Sequence, residues 1–550
     1  MYLRTTKRKN RDGSVVEYFQ LAHNERHPET KKPIAQIIHN FGRTDELDRE
    51  ELIRLCRSIA RVCGVQVVDP LDEKDMNVGF PRDLKLIGTR ELGTVLVIEA
   101  LWERLGIGKI IREICKRKGL AAPYERALYA MTANRLCEPS SKLGVWERWM
   151  AKAYLPSCED VKLEHLYAAM DHLYEHAAEI EKHVFFQTAN LFNLAVDLIF
   201  YDTTTAEFSI DEEDETRRYG RSKSGTWSPQ VVVALAVTRE GFPVRCWVLP
   251  GNTTDVTTIA RVKADLRDWE LGRVMFVADA GMNSAENREE LARACGKYLL
   301  ATRMASVKEI RGEVLSRSGR YTTIRDNLQA REVIIGDGER RRRYLVCHNP
   351  KEAHRQLEHR AAAIEYLEKE LERHRDHSAT AQWAIELLAS KRYGRYLTIT
   401  KGNKVRIDYG KVRECAKYDG KWVLETNDDT ISLEDAACGY KGLMVIERCF
   451  RSLKSTQIKL TPIFHWTSQR IEAHVRICVL ALLIERVAEH ACGTSWAQIR
   501  DTLETLQATE FRTKSFQFFR RNEVSHQVAA ILKSLDISIP KAILRIENLN

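Results

Sequence analysis

The sequence predicts a mixed α/β protein, and three observations carry that prediction. Two acids each close an apolar, strand-like run: Asp202 after Leu198–Tyr201, and Asp279 after Val274–Ala278. From the first of these runs onward, strand-like and helical segments follow one another as three strands, a helix, a strand and a helix. Upstream, residues 90–195 carry helical periodicity alone, over a length typical of one domain.

Each element follows from local pattern. In residues 1–64, MYLRTT, VVEYFQL and IAQIIHNFG alternate like strands, with a turn at Asp12-Gly13. A helix, Glu46–Val62, follows with an inner stripe of Leu52, Ile53, Leu55, Ile59 and Val62. Residues 65–89, with Pro70 and Pro81, read as a linker. Helices are then expected at Gly93–Arg104, Ile107–Arg117, Tyr124–Arg135, Ser140–Met150, Leu163–His176 and Ala177–Leu191. The region 196–303 holds strands at Leu198–Phe208, Gln230–Thr238, Phe242–Leu249, Val274–Ala278 and Lys297–Ala301. A helix over Thr257–Trp269 and another capped at Asn283 or Ser284 complete it. In that order the first and fourth strands can lie side by side, which brings Asp202 and Asp279 to adjacent strand ends.

Residues 304–420 interrupt the alternation and read as an inserted domain. They hold a hairpin turning at Gly336-Asp337-Gly338, a charged helix pair from Lys351 to Lys391, and strand character at Arg395–Val405. The density of Glu365, Glu368, Glu370, Glu372, Lys369 and Arg373 suggests a solvent-exposed, projecting stalk. Residues 421–492 resume the α/β core, and 493–550 read as helical.

Composition bounds the partners. The chain has 550 residues, 44% hydrophobic and 30% charged, ordinary for a globular protein of several domains. Its formal charge of +9 permits a polyanion partner. The basic runs Lys7–Arg11, Arg112–Lys118, Arg340–Arg343, Lys391–Arg395 and Arg512–Arg521 are spread along the chain. Each alone reads as a solvated face; together they fit DNA laid over several domains. The 13 cysteines include no zinc spacing, and Cys115, Cys295, Cys449 and Cys478 fall in helical patterns that read as buried free thiols. That usage implies a reducing compartment. With no signal core and no apolar run long enough to span a bilayer, a cytoplasmic protein is expected.

The chemistry rests on carboxylates. Besides Asp202 and Asp279, Glu447 lies in YKGLMVIERCFRSLKS, which reads as one amphipathic helix from Tyr440 to Ser455. At about 100° per residue, Tyr440, Glu447, Arg451 and Lys454 share one face, and Ile446, Cys449, Phe450 and Leu453 the other. On the helix alone, an i,i+4 surface pair between Glu447 and Arg451 is the cheaper reading. Three acids of this kind suit Mg²⁺ or Mn²⁺, and in a basic chain they point to phosphoryl chemistry on nucleic acid. Asp255, after a Pro-Gly turn, reads most simply as a helix cap, as does Thr254; Asp211–Glu215 reads as a solvated loop, and His474 as a satisfied core histidine. No P-loop, dinucleotide fingerprint, HExxH or GxSxG is present, so ATP is not implied.

Four blocks carry a family resemblance: YDTTT around Asp202, SPQVVVALAVTREGFPVRCWVLPGNTTD (228–255), VADAGMNS around Asp279, and Tyr440 with Glu447 and Lys454. Over roughly residues 195–490 the chain resembles DDE transposases of bacterial insertion sequences, in the large IS-four superfamily with a β-rich insertion between the second Asp and the Glu. The last block is similar to that group's Tyr-x2-Arg-x3-Glu-x6-Lys signature, except that Leu443 stands at the Arg position; Arg451 could replace it. The resemblance implies an RNase H-like catalytic core in which Asp202, Asp279 and Glu447 hold two divalent ions. It also implies that Tyr440 and Lys454 contact DNA backbone near the cut. By the same analogy, Trp422 in GKWVLETN stacks on an extruded base; a core or edge tryptophan is an equal reading.

The function this implies is a DNA transposase, with endonuclease and strand-transfer chemistry on double-stranded DNA. It would bind terminal inverted repeats through the N-terminal strands and the helical region, and assemble as a homodimer across paired ends. An RNase H-like nuclease that cuts without joining is the first alternative. A catalytically inactive end-binding regulator is the second.

Overall fold

The run LIFY that opens LIFYDTTTAE is apolar at consecutive positions, and such a strand needs cover on both faces. In the computed structural model it has that cover. The structure describes residues 2–10, 15–27, 33–44, 46–47, 49–63, 84–194, 196–223, 225–271, 274–338, 341–374 and 378–549. They divide into two units, one of residues 1–86, 511–517 and 547–550, the other of 87–510 and 518–546.

In the first unit, strands β1 (Tyr2–Lys9), β2 (Val15–Arg26) and β3 (Pro33–Arg43) form an antiparallel sheet, followed by the helix Arg49–Val62. The Asp12-Gly13 turn and the linker's residues 65–83 lie outside the described residues; the linker's end instead begins strand β4 (Lys85–Glu91).

The second unit opens with helices Gly93–Arg104, Ile107–Arg117, Tyr124–Leu136, Leu163–Glu175 and Ala177–Leu191. Its central sheet follows. Strands β5 (Leu198–Glu207), β6 (Arg218–Arg221), β7 (Trp227–Val237), β8 (Pro243–Pro250), β9 (Met275–Ala278) and β10 (Lys297–Thr302) include the core order β8-β7-β5-β9-β10. β5, β9 and β10 run parallel, while β7 and β8 are antiparallel to their neighbours. The period of two assigns side chains to opposite faces. Leu198, Phe200, Val233, Leu235, Val277 and Leu299 join one core. Ile199, Tyr201, Ala234, Phe276 and Leu300 join the other, under the helix Ile259–Asp268.

The expected insertion domain is only partly separate. Strands β11 (Thr322–Arg325), β12 (Leu328–Ile335) and β13 (Arg342–His348) extend the central sheet through β16 (Lys421–Thr426), which pairs with both β13 and β10. The reason is edge chemistry: β10 would otherwise present an open row of N–H and C=O groups. An interruption in chain order carries no information about such pairing. Only the helices Pro350–Arg373, Gln382–Ala389 and Tyr409–Ala416, with strands β14 (Leu397–Ile399) and β15 (Val405–Ile407), stand apart around Ala363, Leu367, Leu387, Tyr396 and Leu397. The long helix therefore buries a stripe and is not a bare stalk; buried Arg360 pairs with Asp419 at 2.5 Å.

Three further expectations change. Tyr440–Ser455 is not one helix: Leu433–Lys441 ends, Met444–Arg451 begins, and a wider π turn covers Ser452–Thr456. The break falls at Gly442, where a Cβ would lie 2.7 Å from the Phe200 ring, so the chain crosses β5 at a point with no room for a side chain. The 493–550 tail mixes helices Trp496–Leu503 and His526–Ser534 with strands β17 (Gln507–Arg512), β18 (Phe516–Arg521) and β19 (Ile543–Asn548), which sheet with β4. Cys295 is exposed and Cys115 only half-buried, whereas Cys449 and Cys478 are buried. Several basic runs also serve the fold. Arg341, Arg342 and Arg343 pair with Asp429, Glu309 and Glu332, and Arg112 and Arg117 with Glu103 and Glu179.

Candidate active site

Strand register brings the two aspartates together. In the parallel β5–β9 pair Tyr201 lies opposite Ala278, so the next residues, Asp202 midway along β5 and Asp279 just past the end of β9, are neighbours. Paired strands lie about 4.8 Å apart, within reach of a shared ligand. The Thr203 N–H donates to Asp202 Oδ1 at 2.7 Å and fixes that carboxyl. Burial, with Asp255 and Asp279 close by, nevertheless raises Asp202 to about 6, although Thr203 and Lys223 act to lower it. Burial is the larger cause, and the two neighbouring aspartates add to it.

The Tyr440 hydroxyl donates to Asp279 Oδ1 at 3.2 Å. Burial, then Asp279, then Glu447 and Asp202 hold the phenol well above its usual range, so all three acids act on this one group. Tyr440 thus reaches the site from the helix before the break, not from the Glu447 helix.

The Glu447 helix packs by Ile446, Cys449 and Phe450, and leaves Glu447, Arg448 and Arg451 exposed. Its close approach is permitted by glycines: Gly442 passes Phe200, and a Cβ on Gly241 would lie 2.8 Å from Val445. Lys454 Nζ donates to the Thr205 carbonyl at 2.8 Å and faces Thr204 Oγ1 at 3.4 Å, which ties the turn after this helix to the strand of Asp202. Burial lowers its pKa. Glu447 and Arg451 form no ion pair among the described residues, so the surface-pair reading does not describe them. Trp422 lies on β16 opposite Cys347, packed on the main core with its indole N–H buried; the core-strand reading describes its placement.

The aspartate pair suits a hard divalent cation: two carboxylates on neighbouring strands, one raised chiefly by its burial. Among the described residues, however, no three His, Cys, Asp or Glu side chains are grouped tightly enough to hold an ion. The two aspartates are side by side, and Glu447 lies exposed on the helix Met444–Arg451.

Sequence reasoning missed Asp255. It is not a cap; Thr254 precedes the 3₁₀ turn Asp255–Thr258 without a side-chain cap bond. The Asp255 carboxylate instead accepts from Thr203 Oγ1 at 2.5 Å and pairs with Lys223 at 3.1 Å. The three threonines that follow Asp202, all buried in a strand, were the available signal. A cleft of about 510 Å³ opens there, lined by Thr203, Asp255, Lys223, Arg221, Arg303 and Trp227. Trp227 is 70% exposed on its rim. The acidic run is also ordered: Asp214 accepts from the Thr216 and Arg217 N–H groups, both at 2.7 Å.

Two family models match the chain: an IS1634 family transposase N-terminal domain over residues 3–69, and a transposase DDE domain over residues 197–484. No curated protein matches. Among solved structures, a cryo-EM piggyBac transposase synaptic complex with hairpin DNA is similar at a TM-score of 0.35 and 9% identity, over 75% of this chain and 79% of that one.

Proposed function

We propose that this chain, which belongs to the DDE-domain transposases and is an enzyme of that type, binds the terminal inverted repeats of an insertion sequence and catalyses both strand cleavage and strand transfer. The observation that carries the reading is the β5–β9 register that sets Asp202 beside Asp279. The strand order β8-β7-β5-β9-β10, with its last three strands parallel, supports an RNase H-like core. Asp202 and Asp279, joined by Glu447, would hold Mg²⁺ or Mn²⁺, which when bound in a pair supplies Lewis-acid stabilisation to the entering and leaving oxygens of an in-line displacement.

The chain's own groups prepare that chemistry. Tyr440 orients the Asp279 carboxyl, the Thr203 N–H orients that of Asp202, and Lys454 holds the Glu447 helix against β5. Arg451, exposed one turn beyond Glu447, is placed to meet a DNA phosphate in the role that Leu443 cannot fill. Double-stranded DNA, first the element's ends and then the target, is the partner, with two copies assembling across paired ends.

The test incubates the full chain with a duplex that carries the element's terminal repeat, plus Mg²⁺ or Mn²⁺, and maps the products. The expected result is a nick at the repeat's end followed by joined products. Nicks without joining would favour the nuclease alternative, and binding without nicks the inactive regulator.

A further inference from the structure

Two segments, one of them just beyond the Glu447 helix, converge on a cavity whose charged lining side chains are all basic. The helix Tyr124–Leu136 runs into the turn Cys-Glu-Pro-Ser-Ser-Lys (137–142), which Asn134 holds by accepting from the Ser140 N–H at 3.0 Å and donating to the Glu138 carbonyl at 2.7 Å. Against this turn lies the segment Lys459–His465 and the start of the helix Ser468–Cys492. Between them is a cavity of about 340 Å³, lined by Arg135, Lys142, Arg148, Lys459 and His465 among others, with no Asp or Glu in its wall.

The cations are built in, not borrowed from the surface. Lys142 is 3% exposed and Arg135 4%. Among the described residues the Lys142 ammonium has one hydrogen-bond partner, the imidazole of buried His474 at 3.3 Å, whose other nitrogen faces the Leu460 carbonyl at 3.0 Å. Among the described residues the Arg135 guanidinium donates only to backbone carbonyls, of Ser140, Ile458 and Lys459, and its Nε has no partner. Asp171, the carboxylate that acts on His465, is held by both arms of Arg470 at 2.9 and 2.8 Å. Burying an ammonium without a counter-charge is costly, and it is relieved in one of two ways: the proton leaves, or an anion enters. Burial and Arg135 do push Lys142 down to about 7. That leaves the cavity ready to take up a proton together with an anion.

We infer that this cavity is a phosphate-binding site, in which Lys142, Arg135 and Arg148 receive a phosphate group with the hydroxyls of Ser140 and Ser141 at hand. Orthophosphate and the phosphodiester of a nucleic-acid backbone share this chemistry. Phe464, 63% exposed where it lines the cavity, offers a face for a base or sugar beside the phosphate. The inference does not depend on the catalytic reading.

The test uses the full chain as wild type, Lys142→Met and Arg148→Ala. Thermal unfolding is followed in chloride and in inorganic phosphate at equal ionic strength. Binding of a short DNA duplex is measured across a salt series. If free phosphate is the ligand, it raises the wild-type midpoint and both variants lose that rise. If backbone phosphate is the ligand, both variants bind the duplex about tenfold more weakly and their salt slope falls by about one. Arg148 is exposed, so Arg148→Ala carries the test should Lys142→Met fail to fold. Phosphate response and duplex binding unchanged in the variants would overturn the inference. A chain that shows the effect yet cuts no DNA would leave it standing and remove the catalytic reading alone.

Discussion

Asp202→Asn is expected to lower end cleavage by at least about 10³-fold, some 4 kcal/mol of barrier, while changing duplex affinity by no more than about twofold. The amide keeps the shape of the side chain and can still accept from the Thr203 N–H, so only the negative charge is lost. Half of the carboxylate pair on β5 and β9 goes with it. Misfolding does not explain such a loss, as the direction of the pKa shift shows. Asp202 rises from 3.8 to about 6 in the fold, so below 3.8 its protonated form is present in both states. As the pH climbs through that window the folded state binds more protons than the unfolded chain, and stability falls. An uncharged residue removes that fall, so the variant should unfold no more readily than the wild type at neutral pH. Asp279→Asn and Glu447→Gln should lose cleavage to a similar degree, measured as single-turnover nicking of a terminal-repeat duplex.

Glu485→Gln is expected to stabilise the protein at pH 8 by up to about 3 kcal/mol and to leave its stability at pH 4 unchanged. Glu485 is 5% exposed on the long helix Ser468–Cys492, and both its oxygens lie within reach of Ser452 Oγ, at 2.5 and 2.6 Å. One hydroxyl cannot donate to two oxygens, so the carboxylate is under-solvated. Burial, with Glu489 nearby, raises Glu485 from 4.5 to about 7 against the opposing pull of Ser452 and Arg486. A carboxyl raised in the fold contributes its stability below 4.5 and loses it as the pH rises through about 7. Glutamine stays neutral throughout and still accepts from Ser452. Urea unfolding at the two pH values measures the difference. A glutamine variant that is less stable at pH 8 would show that the ionised carboxylate is needed there.

Where the physics is local, the sequence is readable. The Gly93–Arg104 and Ile107–Arg117 helices follow from periodicity, and their boundaries coincide with the expected ones, whereas the helix expected over Ser140–Met150 gives way to a wider π turn at Val145–Trp149. The adjacency of Asp202 and Asp279 followed from the strand–helix–strand order, since parallel strands joined in that way tend to pair. What failed was decided by distant partners. The β11–β13 strands read as part of an inserted domain, yet they complete a sheet through β16, a pairing set by an edge no sequence window contains. The Tyr440–Ser455 segment is interrupted at Gly442, where the chain passes close to Phe200, a residue in a different block of the chain. Asp255 read as a cap because its neighbours resemble one; its real partners, Thr203 and Lys223, are brought to it by β5 and the turn beyond β6.

The central claim is that Asp202, Asp279 and Glu447 serve one metal-dependent centre. It is tested most directly by anomalous diffraction from the Mn²⁺-loaded protein bound to a terminal-repeat duplex. Manganese peaks should lie about 2.1 Å from carboxylate oxygens of both aspartates, with Glu447 brought in from the adjoining helix as the third ligand. Manganese bound by the aspartates while Glu447 remains turned to solvent, or manganese located elsewhere, would contradict it.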